Sequence, residues 1–116
     1  LAQLGPMSDA LVALVEPYAA WPPAPSEIVE LEGWLRLVAA VWNATLDATT
    51  TSELREELVD LADEWQLDDD DPVGLLEEVA ARKRALFDAD RRRVASVHIE
   101  VEAGRAVVRA ASLAYA

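Results

Sequence analysis

The chain has no cysteine, a single histidine, a single methionine and only four glycines in 116 residues. Without cysteine there is no disulfide framework, no thiolate nucleophile and no cysteine zinc site. His98 alone leaves little for a metal centre or a catalytic triad, and four isolated glycines build no phosphate-cradling loop. No segment reaches the roughly 18 apolar residues of a transmembrane helix. Nothing near Leu1 has the basic start and apolar centre of a signal peptide, so the expected location is cytoplasmic, with no membrane partner. Leu1 to Pro6 precede the only methionine, Met7, behind Gly5-Pro6. They read as an expression scar, with residues 7–116 as one domain.

What is abundant is apolar residues, 53%, and acid: 22 aspartates and glutamates against 10 basic residues, a net charge of −12. That apolar content argues against disorder despite the charge. The charge is unevenly spread. Residues 1–81 hold 18 acidic and 2 basic residues, whereas residues 82–116 hold 4 acidic and 8 basic. Acidity with arginine over lysine fits a solvated surface, a salt-adapted host, or a face for a basic protein partner.

The apolar pattern centres on 28–42. Ile28, Leu31, Trp34, Leu35, Val38, Val41 and Trp42 recur at steps of three and four and predict a core helix, with Glu27, Glu30, Glu32, Arg36 and Asn43 on its other side. Before it, Ser8 and Asp9 are expected to cap a short helix over 9–16 that Pro17 ends. Trp21-Pro22-Pro23-Ala24-Pro25 forms a stiff extended corner with Trp21 laid on the core. Thr50-x-x-Glu53 has the form of a capping box opening a third helix, with Leu54, Leu58, Leu61, Ala62 and Trp65 on its apolar side. Asp71-Pro72 fits the N-cap and first position of a fourth helix, whose buried side is Val73, Leu76, Val79, Ala80, Leu86 and Phe87.

After Asp90 the period changes from 3.6 to 2. Val97, Ile99 and Val101 alternate with His98, Glu100 and Glu102, and Ala106, Val108 and Ala110 continue the pattern beyond Ala103-Gly104. A two-residue turn sets Val101 opposite Ala106, Ile99 opposite Val108, Val97 opposite Ala110 and Glu102 opposite Arg105. The expected fold is therefore α+β, four helices with a C-terminal antiparallel hairpin packed on them. Two strands alone are marginal, so an open edge is expected to pair with a second copy's hairpin, giving a homodimer, the alternative being a monomer whose edges loops or charges protect.

No stretch carries an enzymatic signature, and no cofactor or metal is implied. Asp68 to Asp71 lack the spacing of a calcium loop and suit a helix start. Two candidate surfaces remain. One is the acidic face of the third helix, Glu56, Glu57, Asp60 and Asp63. The other is the basic pair of runs Arg82, Lys83, Arg84 and Arg91, Arg92, Arg93. A phosphate or nucleic-acid role for the second is disfavoured by overall repulsion of polyanions and by the lack of interleaved aromatics. The expected function is a small non-enzymatic interaction module, an adaptor or regulatory subunit with a protein partner. The alternatives are an immunity- or antitoxin-type neutraliser of a basic partner, and a small-molecule binder with a pocket lined by Trp21, Trp34, Trp42 and Trp65.

Overall fold

The computed structural model describes residues 6–113; residues 1–5, most of the expected scar, lie outside the described residues. The order is α1 (Met7–Val15), a 3₁₀ turn (Pro25–Glu27), α2 (Ile28–Asp47), α3 (Thr51–Trp65), α4 (Pro72–Phe87), β1 (Arg93–Glu102) and β2 (Arg105–Leu113). This is the expected α+β architecture. Helices α1 and α2 lie between the hairpin and the α3–α4 pair, with β1 against α2 and β2 against α1.

Helix α2 is the hub because it is covered on more than one side. The expected stripe is present, with Leu31, Leu35, Val38, Val41 and Trp42 all at 1% exposure or less. Leu37, Ala39, Ala44 and Leu46 are also buried, on faces the spacing does not single out. The stripe Glu32, Arg36, Ala39, Asn43, at helical steps of four, three and four, borders β1 rather than open solvent. The Asn43 side chain donates from Nδ2 to the Val94 carbonyl (3.0 Å) and accepts the Val94 N–H on Oδ1 (2.9 Å), as a neighbouring strand would. The Ile99 N–H donates to Glu32 Oε2 at 2.9 Å, and Arg36 holds the other oxygen of Glu32 at 3.0 Å. A strand edge carries N–H and C=O groups that need partners, and polar helix residues supply them here.

The helix ends follow local chemistry with some departures. Helix α1 begins two residues earlier than expected, and neither Ser8 nor Asp9 caps it; Pro6 is the N-cap and offers no side-chain acceptor. The Glu53 N–H bonds Thr50 Oγ1 (3.1 Å) as the capping box predicts, but the Glu53 carboxylate reaches one residue further, to the N–H and hydroxyl of Thr49. Those bonds hold its pKa below the usual value. At α4 the Asp71 carboxylate accepts the Gly74 N–H at 3.1 Å, with Pro72 at the first helical position. A Cβ at 74 would come within 2.2 Å of Asp71 Oδ2, so a larger residue there would push the capping carboxylate aside. Two residues expected inside are outside. Trp65, in the last turn of α3, and Leu86, at the margin of the α4 stripe, are 36% and 54% exposed. Trp21, expected on the core, is also at the surface, beyond a cis bond to Pro22.

The hairpin has the expected register: Val101 opposite Ala106, Ile99 opposite Val108, Val97 opposite Ala110, Glu102 opposite Arg105. A bulge between Val94 and Ser96 adds Ala95 and shifts the pairing by one near the start of β1, a kink that alternation alone does not reveal. The turn has φ of 51° at Ala103 and 77° at Gly104, the left-handed pair of a type I′ turn. Alanine pays a steric penalty there that asparagine largely avoids. Ala103→Asn is expected to stabilise the domain by about 0.5–1 kcal/mol in urea titration.

Candidate functional site

The acidic candidates divide between two faces of α3. Glu57 and Asp60 turn toward α2 and, with Glu64 and Asp47, line a cleft of about 220 Å³ whose remaining walls are Ala40, Asn43, Ala44 and Leu61. Glu56 and Asp63, about a third of a turn away on the helix, face outward and are exposed. Spacing of three and four brings Glu57, Asp60 and Glu64 together, and Asp47 joins them because α2 ends beside α3. Asp47 and Glu64 were not singled out by the sequence. The fourfold repeat Asp60–Glu64 was a usable signal for Glu64, whereas Asp47 depends on the turn between helices.

The cleft is electrostatically strained. Burial raises the Glu57 pKa, and the charges of Asp47, Glu53 and Asp60 raise it further against the opposing Arg93. Glu57 Oε2 is out of contact with solvent and has no hydrogen-bond partner among the described residues. Arg93 forms an ion pair with Asp47 at the edge of this region. Glu56, Asp60, Asp63 and Glu64 form no ion pair among the described residues. Among those residues, no group of three or more histidine, aspartate or glutamate side chains is placed to hold a metal ion.

The six basic candidates are not one patch. Arg82 donates to the carbonyls of Leu14 (2.6 Å) and Ala13 (3.2 Å), satisfying the C-terminal end of α1 where cations are favoured. Lys83 is 3% exposed; its Nζ donates to the Asp90 carbonyl at 3.0 Å and lies 4.8 Å from the centre of the Trp42 ring. Burial lowers its pKa, with Arg91 and Arg84 adding to the shift and Asp90 and Asp88 opposing it. Arg92 closes on the Asp90 carboxylate through its backbone N–H (3.1 Å), Nε (3.0 Å) and Nη2 (2.5 Å). The Trp42 indole N–H donates to the Arg92 carbonyl at 2.7 Å. Arg84 and Arg91 are exposed. Helical spacing could not distinguish Lys83 from its neighbours, because its burial depends on the returning chain at 88–92.

The tryptophans occupy four different environments. Trp42 is fully buried against Phe87 (5.6 Å between centroids), and Trp34 stacks on Tyr18 at 5.1 Å. Trp65 is at the exposed end of α3, and Trp21 lines a groove beside β2. His98 sits opposite Arg109, as the register predicts, and shares Glu100 with it on the outer sheet face.

Asp90 tests the structural role of the basic run. Burial pushes its carboxyl up, but the Arg92 hydrogen bonds and the charges of Arg92 and Lys83 outweigh this and hold its pKa below the ordinary value. A depressed carboxyl stabilises above its unfolded pKa and loses that stabilisation as pH falls through the folded one. Asp90→Asn is therefore expected to lose about 3 kcal/mol at neutral pH, and the gap from wild type should close only in strong acid. Urea titrations of both proteins across pH measure this. Comparisons with protein-family models, curated proteins and solved structures find no match to this chain.

Proposed function

We propose that this protein is a non-enzymatic interaction module whose α2–α3 cleft receives a basic segment of another protein. The observation that carries the reading is the asymmetry of charge use. Arg82, Lys83 and Arg92 bond carbonyls or a carboxylate of the fold itself, and Arg93 pairs with Asp47, while Glu57, Asp60 and Glu64 crowd one cleft. A cation arriving there offsets the like charges that, after burial, raise Glu57 and adds opposite charge to a chain of net −12. An adaptor, a regulatory subunit and a neutraliser of a basic toxin-like partner all use this same contact, and the identity of the partner separates them.

The test is capture from a lysate of the native host at about 0.1 and 1 M salt, a span that shortens the Debye length from about 10 to 3 Å. A stoichiometric basic partner is expected at low salt and lost at high salt. Asp60→Lys with Glu64→Lys is expected to weaken it about a hundredfold, at roughly 1–2 kcal/mol per reversed cleft charge, whereas Glu56→Lys with Asp63→Lys changes it less than about tenfold. Equal loss from both pairs would mean a diffuse field rather than a cleft. Because Glu57 must ionise to meet a cation, affinity is expected to decline on acidification beginning above the ordinary glutamate range, with proton release on binding at lower pH. Calorimetry in buffers of different ionisation enthalpy measures that release.

A further inference from the structure

The two edges of the hairpin are unequal. In a two-residue hairpin the closing pair, Glu102 and Arg105, exchanges both backbone hydrogen bonds. Alternate residues therefore direct N–H and C=O away from the partner strand, Val97, Ile99 and Val101 on β1 and Ala106, Val108 and Ala110 on β2. On β1, side chains of α2 bond the outer edge at two positions: Asn43 on Val94 and Glu32 on the Ile99 N–H. On β2, no side chain or loop among the described residues hydrogen-bonds Ala106, Val108 or Ala110 along the outer edge. Beside it runs a groove of about 520 Å³, lined on the helix side by Asp9, Val12, Ala13 and Glu16 and closed by Trp21.

That edge lacks the usual guards. From Arg105 to Ala111 there is no proline, no lysine and no bulge, and Arg109 is drawn back over its own sheet by Glu100 (3.2 Å) and Glu102 (2.6 Å). It is also complementary to itself. A two-fold axis places residue i opposite j and j opposite i. Centred on Val108, it sets Val108 against Val108, Ala106 against Ala110, Val107 against Arg109 and Arg105 against Ala111 of the second copy. The rows facing the helices are then small and apolar, and no like charges meet. Moving the centre to Val107 sets Arg105 against Arg109, and moving it to Arg109 sets that arginine against itself, so both neighbouring registers are penalised.

We infer that the outer edge of β2 pairs antiparallel with β2 of a second copy about Val108, making a four-stranded sheet ordered β1-β2-β2-β1. This surface is separate from the acidic cleft, and salt acts on the two in opposite directions. Two copies of net charge −12 repel, so the dimer tightens as salt screens them, whereas cleft binding of a basic partner weakens.

The test is sedimentation of the full chain from about 5 to 500 µM in about 0.05 and 0.5 M salt, with a dimer dissociation constant expected to fall at least about threefold at the higher salt. Register is read by disulfide trapping in a chain that has no cysteine of its own. Arg105 and Ala111 are exposed and, in the inferred register, form a pair without backbone hydrogen bonds, about 4.5 Å between Cα atoms and within disulfide reach. Arg105→Cys mixed with Ala111→Cys is expected to give cross-linked heterodimer, and neither protein alone should cross-link to a comparable extent. A chain that stays monomeric at both salts overturns the inference, whether the β2 edge stays bare or takes a foreign strand. So does cross-linking that is equal in mixed and unmixed samples.

Discussion

Trp42 and Asn43, neighbours on α2, hold the start of the hairpin by its backbone. One donates an indole N–H to the carbonyl of Arg92, and the other pairs with both backbone groups of Val94. A two-stranded sheet has too little surface to persist alone. Here its first residues are bonded by a helix that is itself enclosed by α1, α3 and α4. Further along, Glu32 repeats the device on Ile99, so β1 lies on the polar stripe of α2 much as it would lie beside another strand. The bulge at Ala95 sits between the Asn43 contact and the regular ladder, where the strand has to change which residues face outward.

The same contact explains how charge is used. The chain turns back from α4 into β1 over Asp88 to Arg92, and the turn encloses Lys83 and Asp90, both 3% exposed. Each has local partners: Lys83 the Asp90 carbonyl and the face of Trp42, Asp90 the guanidinium of Arg92. Arg82 meanwhile completes the end of α1. Three of the ten basic residues are thereby committed to joining elements of the fold. Asp60 and Glu64 of α3 have no such task, and at Glu57 burial, with the charges of Asp47, Glu53 and Asp60 added, raises the pKa.

Much of this was legible in the sequence where a local rule suffices. The hairpin register follows from alternation together with Glu102 facing Arg105, and the start of α4 follows from Asp71-Pro72. The core of α2 follows from its 3.6-residue period. What was not legible depends on neighbours distant in sequence. Glu32 and Asn43 look like solvent-facing residues because a polar stripe reads the same whether it meets water or a strand edge. Lys83 looks like one member of a basic run until the chain at 88–92 covers it. Leu86 and Trp65 keep the helical period but fall at the margin or the end of the packed surface. The cleft was half legible, since Glu57, Asp60 and Glu64 share a spacing, whereas Asp47 enters only through the α2–α3 turn.

Because helix side chains bond the outer edge of β1, the hairpin and the helices form one cooperative unit. Native-state hydrogen exchange of the Val94 amide tests that claim most directly. This N–H points away from β2 and donates to the Asn43 side chain. We predict that it exchanges only through global unfolding, with the same opening free energy and denaturant dependence as the buried amides of α2 such as Val38 and Val41. Exchange through a low-energy local opening, several kcal/mol below the α2 core, would mean that the hairpin edge detaches on its own and would contradict the account.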